Sequence, residues 1–298
     1  MTTIDGAHGI QGEPPLRWGS DAHKQAFCRM LLDTHDPYRP AIIDWPTLEP
    51  DALARITGLP IWDIAVDTEN RAAVFVSSYA DLVDDPLLRQ AVVMDGAEEA
   101  RHREVLSHMV RAYGIELGPE KTYARPADPE WAFMRIGYSE CLDSFFAFGL
   151  FELARRSGYF PPELVETFEP VIREESRHIV FFINWLAWHR RRQPLWRRPW
   201  FELKVLRVLA GIAWSRLGTA RAVGSAGRVS PAERADNFTM NGASSIAVET
   251  SFAALVDLCQ AENARRMAEL DPRLMRPRLF PTLMRLIRPL LGSPKPAT

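Results

Sequence analysis

Glu98-Glu99-Ala100-Arg101-His102 and Glu174-Glu175-Ser176-Arg177-His178 are two copies of one pentapeptide. Each contains Glu-x-x-His. On an α-helix, residues three apart share a face, so each copy turns one carboxylate and one imidazole towards the same spot. One such motif arises often by chance. Two copies, each preceded by an acid and each carrying Arg before the His, form a much stronger signal.

The segments around the copies read as four amphipathic helices. The first runs from Pro60 to about Val83, where Asp84-Asp85-Pro86 breaks it and Pro86 suits the first turn of a second helix reaching about Tyr113. Gly114 is a natural C-terminal stop, and a looser segment follows. The third helix is predicted over about 129–156, ending at Ser157-Gly158; Pro161-Pro162 opens the fourth, which reaches about Arg191. Pro170 predicts a kink there, or a short turn before the main helix.

Antiparallel helices joined by a turn bring together residues equidistant from it. The turn near 84 sets position 69 opposite Glu99, and the turn near 157–158 sets position 140 opposite Glu175; both positions are glutamate. Their stripes are apolar: Glu69 with Trp62, Ala72, Ala73 and Val76, and Glu140 with Phe133, Ile136 and Ala147. Glu99 and His102 align with Val92, Leu106 and Met109, and Glu175 and His178 with Phe168, Phe182 and Trp185. Six polar groups therefore converge in one apolar core. Each buried, unpaired carboxylate costs several kcal/mol, and four together repel one another. Metal cations remove that cost. Four carboxylates neutralise two divalent ions, and two imidazoles complete an oxygen/nitrogen shell suited to iron or manganese, with zinc open chemically. The alternative is surface ion pairing, since EEARHRE alone is an ordinary solvated helix face.

The pattern resembles the di-iron carboxylate branch of the ferritin-like superfamily, which includes acyl-carrier desaturases, ribonucleotide reductase small subunits and amine N-oxygenases. The resemblance covers about 60–190 and implies an all-α, ferritin-like four-helix bundle. It implies two Fe ions, with Mn or a mixed Mn/Fe pair also fitting, held by Glu69, Glu99, His102, Glu140, Glu175 and His178 as both metal ligands and catalytic residues. It further implies an O2-dependent enzyme that hydroxylates, oxygenates or desaturates a small or fatty apolar substrate with electrons from an unidentified donor. By the same resemblance Glu174 bonds His102 and Glu98 bonds His178; an exposed salt bridge to Arg101 or Arg177 is the alternative. Asp143, one turn from Glu140, is a candidate outer or replacement ligand. Val171 stands where N-oxygenases add a third metal-binding His, and Leu106 stands where the reductase subunit keeps its radical Tyr. Both departures count against those roles. The rival readings are an iron-handling protein without organic substrate and a membrane-surface quinone or quinol oxidase.

The rest of the chain frames this core. Residues 1–59 read as an irregular, proline-interrupted wrap with helical pieces around 21–33 and 50–57; 60–191 is the bundle; 192–298 is a helical extension packed on it. That extension is predicted to hold helices at about 200–218 and 242–269, then a proline-rich stretch over the surface from 271. No run of 18 apolar residues occurs. Formal net charge is −2 and pI about 6.4, which gives no general pull towards nucleic acid. Cys28, Cys141 and Cys259 are isolated thiols with no CxxC pair, so neither a disulfide framework nor a thiolate zinc site is expected and a reducing cytoplasm fits. Arg190–Trp200 mixes five arginines with tryptophans and reads as a membrane-surface or acidic-carrier contact, or as a solvated loop. A homodimer is left open. The aromatics of the third and fourth helices read chiefly as core, and Ala72, Ala73 and Ala147 would leave room for a ligand near the metals. His8, His23, His35, His108 and His189 lack a Glu-x-x-His setting and read as surface or capping residues.

Overall fold

The computed structural model describes residues 16–224 and 251–291, with side chains of 216–224 left aside. Among them the regular structure is entirely helical: α1 Asp21–Asp33, α2 Pro50–Thr57, α3 Trp62–Ala80, α4 Pro86–Ala112, α5 Pro129–Ser157, α6 Pro162–Arg192, α7 Arg198–Gly224, α8 Phe252–Ala268 and α9 Leu279–Ile287. Three-residue and four-residue 3-10 turns follow at Pro40–Ile42 and Arg288–Leu291.

Local chemistry sets the boundaries of the central helices. Asp85 caps α4 by accepting from the Leu88 N–H, and Asp128 caps α5 by accepting from the Trp131 N–H; each is followed by proline at the first helical position, where no N–H is needed. Gly158 ends α5 in the left-handed conformation at φ 64°, which costs glycine nothing. Pro170 lies inside α6, which runs through it as one helix rather than dividing into a turn and a main helix.

The helices α3 and α4 form one hairpin and α5 and α6 another. α3 packs on α5 and α4 on α6, so the four touch in a ring. Below the polar residues the ring is filled by aromatics. Tyr79 stacks on Phe133 with centroids 4.7 Å apart, Trp185 stands edge-on to both, and the Trp185 indole N–H donates to the Tyr79 hydroxyl. Trp185 is fully buried, and a side chain of this kind contributes roughly 1.5–3 kcal/mol on burial. Phe145, Phe148, Phe181 and Phe182 are also buried, which makes them core.

The flanking segments do more than wrap. α1 packs on α4 and α6, closing the outer side of their seam, while α7, α8 and α9 pack on α5. The predicted helix over 242–269 appears as α8, its first residues lying outside the described ones. The stretch from 271 is more ordered than expected: it forms α9, with Pro281 tolerated in its first turn. Cys28, Cys141 and Cys259 are buried and free, and burial pushes the thiols of Cys28 and Cys259 up to about 12. No described helix is long and apolar enough to cross a membrane.

Candidate metal centre

Glu69 reaches the core from α3, Glu99 and His102 from α4, and Glu175 from α6; one ligand atom of each lies within 4.8 Å of the others. A second group of the same compactness joins Asp95 and Glu99 of α4 to His178 of α6. Glu140 of α5 is not one of these grouped acids, but it faces Glu99, Glu175, Asp95 and His178 closely enough to feel their charges. Five of the six residues expected from the sequence thus fall in these two groups, and Glu140 stands beside them. Glu69, His102 and Glu175 lie on one side, Asp95 and His178 on the other, and Glu99 is common to both. The two imidazole rings are 5.6 Å apart.

The imidazoles are oriented by the first acid of the opposite pentapeptide. His102 Nε2 meets Glu174 Oε2 at 2.8 Å, and His178 Nε2 meets Glu98 Oε2 at 2.7 Å. Both pairs are buried, with no residue of the four exposing more than 1%. The arginines cross over as well: Arg177 donates to both oxygens of Glu98 and to the Leu31 carbonyl, and Arg101 donates to Glu174. The pairing of Glu174 with His102 and of Glu98 with His178 is found, and the arginine ion pairs that accompany it are buried, not the exposed ones of the alternative reading. An ionised carboxylate accepts only, so each Nε2 donates to its acid and Nδ1 is the ring nitrogen turned inward. His178 Nδ1 is 2.8 Å from Glu99 Oε1 and His102 Nδ1 is 3.2 Å from Glu175 Oε1, yet His178 Nδ1, Glu99 Oε1 and His102 Nδ1 make no hydrogen bond.

The cost of this arrangement is visible in the titration of its members. Burial raises the Glu99 carboxyl well above the ordinary range, and the charges of Glu69 and Glu175 add to this against the pull of His178. Burial likewise raises Glu140, helped by Glu99 and Glu175. Burial works against charge on His102 and His178, but the surrounding carboxylates overturn it and hold both imidazoles well above their usual value. Glu175 ends below its usual value, since the two imidazoles and the Ser144 hydroxyl outweigh its burial. Protons balance the cage where no cation does.

Several residues near the centre were not expected there. Asp95, one turn before Glu99, is 4% exposed; its spacing of four to Glu99 and seven to His102 places it on the same helical face, a signal that was legible. His35 corrects the surface reading: its Nδ1 is 2.6 Å from Glu98 Oε1. Tyr38 donates to Glu174 Oε2 at 3.3 Å and lies under the Arg101 guanidinium, 4.2 Å from it. Both come from the loop after α1, where nothing local in sequence announces them. His23 also departs from the surface or capping reading: it is fully buried, its ring meeting Asn184 and accepting from the Gly19 N–H, while Ser20 caps α1. His189 meets Glu130 and stacks on Trp185; His108 is half-buried, and His8 lies outside the described residues. Asp143 is half-buried and belongs to neither group of acids. A cavity of about 780 Å³ lies elsewhere, between α8 and α9, and no residue of the centre lines it.

No protein-family model matches the sequence, and no curated protein or solved structure matches the chain. The geometry alone carries the functional reading.

Proposed function

We propose that this chain is a ferritin-like di-metal oxidoreductase, with α3–α6 as its four-helix bundle. Glu69, Glu99, His102, Glu140, Glu175 and His178 would hold two iron ions, manganese being the alternative metal. The observation that carries this is the pair of buried imidazoles whose Nε2 atoms are committed to Glu174 and Glu98 while their Nδ1 atoms face a carboxylate cage unbonded. Four carboxylates and two neutral imidazoles balance two divalent cations, and the oxygen/nitrogen donor set suits iron or manganese.

When bound, such a pair supplies electrons to O2 for oxidation of an organic molecule. The protein's part is positional. Glu98 and Glu174, locked by Arg177 and Arg101, fix the imidazole tautomers; such outer acids raise ligand basicity and hold ring orientation. Glu99, common to the two groups, would be within reach of both ions. Tyr79, Phe133, Phe182 and Trp185 pack against one another as an apolar core of the bundle, Phe182 one turn beyond His178.

A surface contact completes the reading. Leu195, Trp196, Trp200, Leu206 and Trp214 are each more than half exposed, and residues 190–214 carry seven basic side chains against one acid, Glu202. Exposed tryptophan among arginines suits an anionic membrane interface.

The test is metal analysis of the purified protein with O2 uptake by its reduced form, measured with and without fatty and small aromatic substrates. Two irons per chain and substrate-stimulated uptake support an oxygenase. Uptake indifferent to any substrate supports an iron-handling protein, and failure to retain metal from an iron-replete preparation refutes the centre.

A further inference from the structure

The two halves of the centre are not equivalent, and the difference lies in Asp95. The repeated pentapeptides make the halves comparable position by position: the residue four before Glu99 is Asp95, and the residue four before Glu175 is Val171. One half therefore carries an acid where the other carries an aliphatic side chain. Asp95 is 4% exposed, and its Oδ1 has no hydrogen-bond partner. It lies 3.5 Å from His178 Nε2, but that nitrogen is already engaged by Glu98 Oε2 at 2.7 Å. Glu98 is in turn satisfied by Arg177 and His35. Asp95 is thus superfluous to the scaffold that orients His178, while its ligand atom groups with those of Glu99 and His178 within 4.8 Å.

A buried carboxylate with an oxygen left unbonded is retained at a cost unless a cation meets it. We propose that Asp95 is a fifth carboxylate of the metal centre, serving the position built by Glu99, Glu140 and His178. The additional negative charge makes that position the tighter of the two and the first to fill. The opposite position, built by Glu69 and His102, fills second. This rests on the di-metal reading above and adds an order of loading to it.

The test uses the full-length metal-free protein titrated anaerobically with Co(II), following the visible absorption of bound cobalt and competition with a chelator. The wild type is expected to bind two ions in two resolved steps, the first at least tenfold tighter. Asp95→Asn, nearly isosteric, is expected to weaken the first step at least tenfold and leave the second within threefold, so that the steps merge. Asp95→Glu, which keeps the charge, is expected to recover separated steps, and far-ultraviolet circular dichroism confirms that both variants stay helical. Two unchanged steps in Asp95→Asn would overturn the role of Asp95 and leave the di-metal centre standing. A wild type that binds no cobalt would overturn both.

Discussion

Replacing Glu99 with glutamine should stabilise the metal-free protein while destroying its ability to gain stability from metal. Glu99 is 1% exposed, and burial raises its carboxyl well above the ordinary 4.5, with the charges of Glu69 and Glu175 acting in the same direction. A carboxyl raised in this way is a liability at neutral pH, because the unfolded chain ionises freely above 4.5 and the folded one does not. Its destabilising effect is absent below the unfolded value and grows by about 1.4 kcal/mol for each pH unit above it, until the folded value is reached. Between pH 5 and pH 7 the advantage of Glu99→Gln should therefore widen with pH, measured by urea unfolding in excess chelator. Saturating divalent metal should reverse the order, since a ligand at a thousandfold its Kd stabilises the wild type by about 4 kcal/mol. An advantage that stays constant with pH, or a destabilised variant in chelator, would refute the claim that Glu99 is held in an uncompensated cage.

Four further outcomes follow from particular contacts. Glu174→Gln removes the charged acceptor that holds the His102 Nε2 proton; metal affinity should fall roughly 10- to 100-fold with two ions still bound at saturation, read by chelator competition. Gly149→Ala would place a Cβ 2.3 Å from Cys259 Sγ and 2.9 Å from the Cys259 backbone, forcing α8 away from α5; a loss of about 1–3 kcal/mol in denaturant unfolding is expected, with metal content unchanged. Burial raises Glu130, but His189 and Lys204 outweigh it and bring its carboxyl down to about 2; its contribution is present above 4.5 and lost as pH falls from there to 2. Glu130→Gln should accordingly cost stability at pH 7 and much less at pH 2.5, a difference that unfolding curves at the two pH values check. Trp196→Ala/Trp200→Ala, which removes two side chains 67% and 70% exposed, should abolish flotation with phosphatidylglycerol vesicles while leaving metal content intact.

The positions of Glu69 and Glu140 could be inferred from the turns at 84 and 158, because hairpin geometry is a local matter of where helices break. Asp85-Pro86 and Gly158 break them for reasons visible in the residues themselves. The repeated Glu-x-x-His likewise needs only the helical repeat to place its carboxylate and imidazole together. The all-helical character and the meeting of acids and imidazoles were thus written in short-range pattern. Of the two outcomes left open by Pro170, a division into a turn and a main helix is the one that does not occur, because neighbours on a long helix outweigh one lost hydrogen bond.

What only the tertiary structure decided is how the centre is held. The choice of Glu98 for His178 and Glu174 for His102, the crossing of Arg177 and Arg101, and the arrival of His35 and Tyr38 from the loop after α1 all depend on the packing of α1 and α6 against α4. Contacts between residues 63 to 136 positions apart leave no periodic trace, because they are set by where whole helices come to rest. Asp95 stands between the two cases: its spacing was readable, but an oxygen with no partner, like that of Glu99, is a property of the packed core and not of the sequence pattern.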